Sequence, residues 1–176
     1  MLENFPQFVP SKVCLDCDGC CRYKKPDSIW RPKISQDEIF NVKARRSALV
    51  DKIFSKDHID RKGFVKTVKV KTMCHCTYFN KANNTCNIYS DRPFECQLYP
   101  FLLNKKGKEY YSISVHLACP YVQKKRHSSE FENYVITLKH FFQKEGVRAF
   151  FKKNVSLFVN YGEYADEIED VFSVEL

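Results

Sequence analysis

Cys14-Leu15-Asp16-Cys17-Asp18-Gly19-Cys20-Cys21 carries four thiols in eight residues. Side chains this crowded can turn inward together only if a cation at their centre offsets the loss of solvation. A metal ion or an iron–sulfur cluster is therefore expected at the core of the fold. Asp16, Asp18 and Gly19 favour turns and let the backbone curl around such a centre. Downstream, Cys74 is followed by Cys76, Cys86, Cys96 and Cys119, the last four at intervals of ten, ten and twenty-three residues. Eight thiols divide naturally into two sets of four, the number that a tetrahedral thiolate site takes.

The cellular compartment decides whether cysteines are ligands or disulfides. The chain opens Met1-Leu2-Glu3-Asn4-Phe5-Pro6, with no basic start followed by an apolar stretch, and no later segment runs to eighteen apolar residues. A cytoplasmic protein without membrane association is expected, and thiols stay reduced in that compartment. The odd cysteine count, nine, and the vicinal Cys20-Cys21 also argue against a disulfide framework. A length of 176 residues, with fifteen Phe and ten Tyr, supports one ordinary core. The expected fold class is α+β. A metal-centred domain of short strands, turns and helices would cover residues 1–125, an amphipathic helical segment 126–161 would pack on it, and 162–176 would form an acidic tail.

Charge is unevenly placed. All 29 Lys and Arg precede Gly162 with 15 of the 21 acids, leaving a formal +14 over residues 1–161, whereas the last fifteen residues carry six acids and no base. A basic body is compatible with an acidic protein partner or with nucleic acid, although a solvated lysine-rich surface accounts for it as well. Thiolates bound to metal would offset part of that charge.

Local patterns place the cysteines on elements. Residues 1–13 read as an extended lead-in to the knuckle. Ser35 and Glu38 have the spacing of a capping box. Ile39, Val42, Leu49, Ile53 and Phe54 follow at near-helical intervals, which predicts a helix over 36–55 with Lys43, Arg45 and Arg46 facing water. Phe64 to Lys71 alternates as a half-buried strand, and Asn83-Asn84-Thr85 predicts a turn before Cys86. Asp91-Arg92-Pro93 leads into a helical turn carrying Glu95 and Cys96, which Pro100 ends, and Glu109 to His116 predicts a strand before Cys119. Ser129 and Glu132 predict a capped helix with Phe131, Val135, Leu138, Phe141 and Phe142 on one face, broken by Gly146 and followed by a stretch with Val147, Phe150 and Phe151. Such an aromatic stripe is expected to cover a core rather than to cradle a ligand.

Cys14-x-x-Cys17-x-x-Cys20-Cys21-Arg22, Cys76-Thr77-Tyr78-Phe79, the run from Cys86-Asn87-Ile88-Tyr89 through Asp91-Arg92-Pro93-Phe94-Glu95-Cys96, and Tyr99-Pro100-Phe101 together resemble the YkgJ-type cysteine-cluster proteins. Zinc or iron chelation is ascribed to that family, and a similar cysteine pattern occurs in flagellin lysine N-methylase. The resemblance spans roughly residues 14–120. It implies Cys14, Cys17, Cys20, Cys21, Cys76, Cys86, Cys96 and Cys119 as metal ligands and leaves Cys74 as the extra thiol. One departure is Gln97, where the family commonly has arginine, so a positive charge is missing there.

Zinc and iron stay equally open. Cys14, Cys17 and Cys20 repeat like the first three ligands of a bacterial ferredoxin cluster, with Cys119-Pro120 like the completing one, which favours a 4Fe-4S cluster. The adjacent Cys21 and the turn-rich knuckles suit structural zinc. His75 and His116 lie near cysteines in sequence and are expected beside a site rather than in it. Arg92 is expected to be largely buried, bonded to a thiolate or paired with Asp91 or Glu95. Three function classes follow. One is a metal-binding protein for storage, sensing or delivery. The second, by resemblance, is an iron–sulfur protein lysine N-methyltransferase using S-adenosylmethionine. The third is a zinc-dependent nucleic-acid-binding module. The five glycines, at 19, 63, 107, 146 and 162, form no Gly-rich nucleotide loop, which argues against a conventional methyltransferase fold. No catalytic residue set is assigned.

Overall fold

A computed structural model describes residues 5–17, 19–45 and 54–176. It contains helices and antiparallel sheets, as the α+β reading expects, and divides into two compact units, Pro10–Gln97 and Met1–Val9 with Leu98–Leu176. The sequence-based boundary near residue 125 differs from this one, because β6 and β7, described below, pair with the C-terminal strand rather than with strands of the cysteine region.

The first unit starts with helix α1 (Ser11–Asp16), so Cys14 sits in a helical turn where an extended lead-in was expected. A 3₁₀ turn, Gly19–Cys21, leads into strand β1 (Arg22–Tyr23). Helix α2 (Gln36–Arg45) begins with the expected capping box. Glu38 Oε2 accepts Ser35 N–H at 2.8 Å, and Ser35 Oγ accepts Glu38 N–H at 3.2 Å. Residues 46–53 of the expected helix, with Leu49, Ile53 and Arg46, lie outside the described residues, as do the side chains of Lys43 and Arg45.

Strands β2 (Thr67–Val70) and β3 (Met73–Cys76) form a hairpin that β1 joins in the order β1-β3-β2. The β2 strand is shorter than the predicted 64–71 because Phe64 and Val65 leave it to bridge Lys33 and Ile59. Gly63 permits that departure. Its φ is 85°, and a Cβ there would stand 3.1 Å from the Ile34 carbonyl oxygen. Strands β4 (Phe79–Asn80) and β5 (Thr85–Cys86) form a second hairpin, with Asn84 at φ 56° in the predicted turn. A 3₁₀ turn, Tyr89–Asp91, then leads through Pro93 to helix α3 (Phe94–Leu98).

In the second unit β6 (Phe101–Lys106), β7 (Tyr110–His116) and β8 (Ile168–Val174) make an antiparallel sheet in that order. Helices α4 (Pro120–Lys125), α5 (Ser129–Gln143) and α6 (Glu145–Lys153) follow β7 in the chain. The aromatic stripe does cover a core. Phe142 stacks on Phe151 at 5.1 Å and meets Phe172 of β8 edge-on at 6.2 Å. Two local expectations need correction. The N-cap of α5 is Ser128, whose Oγ accepts Phe131 N–H, rather than Ser129, and the break before α6 falls at Lys144, leaving Gly146 inside α6.

The acidic stretch 162–176 contains a 3₁₀ segment, Gly162–Glu167, and β8 rather than a loose tail. Its acids meet bases: Asp170 pairs with Lys106, and Glu169 with Arg126 at 3.7 Å. The Asp170 carboxylate also accepts the hydroxyls of Ser114 at 2.7 Å and Ser112 at 3.3 Å. A register shift between Ile113 and Ser114 brings Ser114 opposite Asp170, while Ile113 faces Phe172. Charge alternation thus hid a strand whose inward residues are Ile168, Phe172 and Val174.

Candidate metal centre

Every secondary element of the first unit that bears a cysteine delivers it toward the others. Helix α1 carries Cys14 and packs against β5, which carries Cys86. The 3₁₀ turn Gly19–Cys21 contributes Cys20 and Cys21, β3 ends on Cys76, and α3 presents Cys96. Cys20, Cys76, Cys86 and Cys96 are mutual neighbours, each within electrostatic reach of the other three. Cys14 reaches Cys20, Cys17 and Cys86, and Cys21 bonds to Cys20. Among the described residues, no three Cys, His, Asp or Glu side chains converge in ligand geometry, so these thiols are neighbours and not a closed coordination sphere.

The environment of the thiols is that of buried protonated sulfur. Burial, opposed by backbone N–H groups of Tyr78 and Phe79, pushes the Cys76 thiol up to about 12. Burial and then the thiols of Cys76, Cys20 and Cys86 hold Cys96 well above its ordinary value. The bond with Cys21, followed by burial, does the same for Cys20. Cys86 is raised by burial against the opposing N–H of Ile88 and the Arg92 guanidinium. A cation at the centre would reverse this balance, since metal displaces thiol protons and thiolate then accepts the N–H donors already aimed at it.

Polar atoms without ordinary partners point the same way. Among them are Thr77 Oγ1, the Tyr89 hydroxyl and Glu95 Oε1, all buried and all within three residues of Cys76, Cys86 or Cys96. Buried polar atoms are usually satisfied, so orphans gathered around one group of thiols fit a site that takes a further charged group. The donor set fits a thiophilic cation, zinc or iron, better than magnesium or calcium, which prefer oxygen.

Two carboxylates fasten α3. Glu38 Oε1 accepts Phe94 N–H at 2.7 Å, so the carboxylate that caps α2 also caps α3. Glu95 Oε2 accepts Lys33 N–H at 2.7 Å, and burial pushes this carboxyl up to about 8, although the residue as a whole is partly exposed.

Arg92 is half-buried rather than interior. Its guanidinium carbon stands 3.8 Å from the centroid of the Tyr89 ring, its Nη1 donates to the Tyr89 carbonyl at 2.9 Å, and it favours the anionic forms of Cys14, Cys20 and Cys86. Gln97, the departure from the family pattern, donates its amide to the Arg92 carbonyl at 3.0 Å, so it secures the turn without adding charge.

The remaining candidates fall outside this group. Cys74 is buried on β3 opposite Tyr23 of β1 and Lys69 of β2. Cys119 belongs to the second unit, buried at the N-cap of α4. His75 is buried edge-on to Phe79 at 5.4 Å, and His116 is held by the Tyr99 hydroxyl at 3.1 Å with Glu167 3.8 Å away.

Sequence reasoning missed the tyrosines. Tyr23 is buried against Cys76, Cys21, Cys96 and Cys20, with its hydroxyl on the Cys20 carbonyl at 2.9 Å, and Tyr78 is buried beside Cys76, Cys86 and Cys96. The signal was present: Tyr23, Tyr78, Tyr89, Tyr99 and Tyr121 each follow a cysteine by two or three residues.

Comparison with known proteins adds one finding. A family model named CxxCxxCC, described as a "putative zinc- or iron-chelating domain", matches residues 13–129. The chain belongs to the CxxCxxCC family. The matched residues include all nine cysteines. Neither a curated protein nor a solved structure matches this CxxCxxCC chain. Among its described residues, no helix is long and apolar enough to cross a membrane.

Proposed function

We propose that this protein binds zinc or an iron–sulfur cluster through Cys14, Cys17, Cys20, Cys21, Cys76, Cys86, Cys96 and Cys119, with Cys20, Cys76, Cys86 and Cys96 as the nucleus of the site. The observation that carries this reading is the mutual proximity of those four buried thiols, delivered by four separate elements. Four thiolates suit tetrahedral zinc or a cubane cluster, and burial away from solvent suits a site that holds its metal tightly. Zinc would lock the loops together, whereas a cluster would add electron transfer or an iron that takes a substrate. The methyltransferase reading rests on the resemblance alone.

Anaerobic purification with metal and acid-labile sulfide analysis tests the proposal. Stoichiometric zinc in a colourless protein identifies the zinc form, and a brown protein with labile sulfide the cluster form. Serine at Cys20, Cys76, Cys86 or Cys96 should abolish stoichiometric binding, with smaller losses at the other four positions. An unaltered chain that retains neither metal sinks the reading.

A further inference from the structure

The turn after β5 holds a tyrosine that packing alone does not explain. Tyr89 opens the 3₁₀ turn three residues after Cys86, on the hairpin against which α1 places Cys14. Its ring is pinned from one side by Arg92, with the guanidinium over the face and Nη1 on the residue's own carbonyl. The ring therefore has little freedom to swing its hydroxyl elsewhere. That hydroxyl is buried without a hydrogen bond of ordinary geometry, yet it stands close enough to Cys14 to stabilise the sulfur as an anion.

A buried phenol needs an acceptor, and a neutral thiol is a poor one. A metal-bound thiolate carries charge and accepts strongly, so the hydroxyl gains most when Cys14 is a ligand. Building on the metal reading above, we propose that Tyr89 is a positioning residue of the metal centre: clamped by Arg92, its hydroxyl donates to the Cys14 sulfur and keeps Cys14 in the ligand set. Arg92 supplies the clamp and a compensating charge, and Gln97 anchors the backbone of the clamp through the Arg92 carbonyl.

The test uses the full chain loaded with zinc or with cobalt(II), whose sulfur-to-metal charge-transfer bands report thiolate ligation. Tyr89→Phe keeps the ring and the stack and removes only the hydroxyl. It should bind the same number of ions, release zinc to a competing chelator about tenfold faster, lose charge-transfer intensity, and make Cys14 the first cysteine alkylated. Arg92→Lys, which keeps the charge and loses the planar stack, should change each readout in the same direction by less. In a Cys14→Ser background Tyr89→Phe should add nothing, as expected for a residue that acts through Cys14. Additive effects in that background, or a Tyr89→Phe protein matching the unaltered chain in release rate and spectrum, would overturn the role of Tyr89 while leaving the metal reading intact. An unaltered chain that takes up neither zinc nor cobalt overturns both.

Discussion

Of the eleven largest fully buried side chains, nine lie in residues 98–176, and only Val65 and Phe94 lie in 10–97. The second unit fills its interior with interlocking aromatic and aliphatic groups, such as Phe101, Leu103, Ile113, Leu138 and Phe151. In the first, much of the comparable place is taken by thiols, tyrosine rings and two carboxylates. Apolar packing is self-sufficient, because removal from water is its own driving force. A pocket of thiols has no such drive, since burial only strengthens the hold on its protons, and it depends on something that binds them. The difference predicts two kinds of stability in one chain.

Metal removal should separate the two most. Thiolate-bound zinc contributes on the order of 10–16 kcal/mol in small zinc domains, more than the whole stability of many domains. Chelation at neutral pH is expected to expose residues 10–97 to protease while the α5–α6 helical signal persists in circular dichroism. A chelated protein with uniform protection throughout would break the contrast. The converse variant is Phe151→Ala in the aromatic core, which should cost about 3–5 kcal/mol and lower Tm without changing metal content.

A smaller effect separates ligand from bystander inside the first unit. Cys74→Ser should lower Tm by an amount equivalent to about 1 kcal/mol and leave the metal content unchanged, whereas Cys96→Ser should lose the metal. Equal metal loss in both variants would place Cys74 among the ligands. The mildest prediction concerns the acid limb of the second unit. Burial of the Asp170 carboxyl is outweighed by its bonds from Lys106 and Ser114, which hold it below the ordinary value of 3.8. A depressed folded-state value means that its contribution is complete above about pH 4 and fades as the pH falls through that lower value. Asp170→Asn should therefore narrow the stability gap between neutral and acid solution, measured as Tm against pH.

How much of this was legible depended on whether the signal was local. Ser35 and Glu38 announced the start of α2 because a capping box is complete within four residues, and Asn84 announced its turn because few residues accept φ 56°. The β7 strand was readable from Tyr111, Ile113 and Val115. Strand β6 was not, since Phe101-Leu102-Leu103 runs without alternation, and β8 looked like an acidic tail because its partners Lys106 and Arg126 lie far off in sequence. At the site, cysteine spacing pointed to the candidates, but the grouping of Cys20 with Cys76, Cys86 and Cys96 depends on β1 joining β3 and on the Glu38 bond to α3, both long-range pairings.

Glu38 deserves a last look for what it does to motion. One carboxylate closes the first turn of α2 and the first turn of α3, across 56 residues of chain. Neither turn can open without breaking the acceptor of the other. The amide protons of Ser35 and Phe94 should therefore exchange with deuterium at a common opening free energy, as one cooperative unit, and Glu38→Ala should uncouple them. Cys96 would then be reached by solvent only when α2 frays as well, so the rate at which the start of a distant helix breathes sets the rate at which this thiol is exposed.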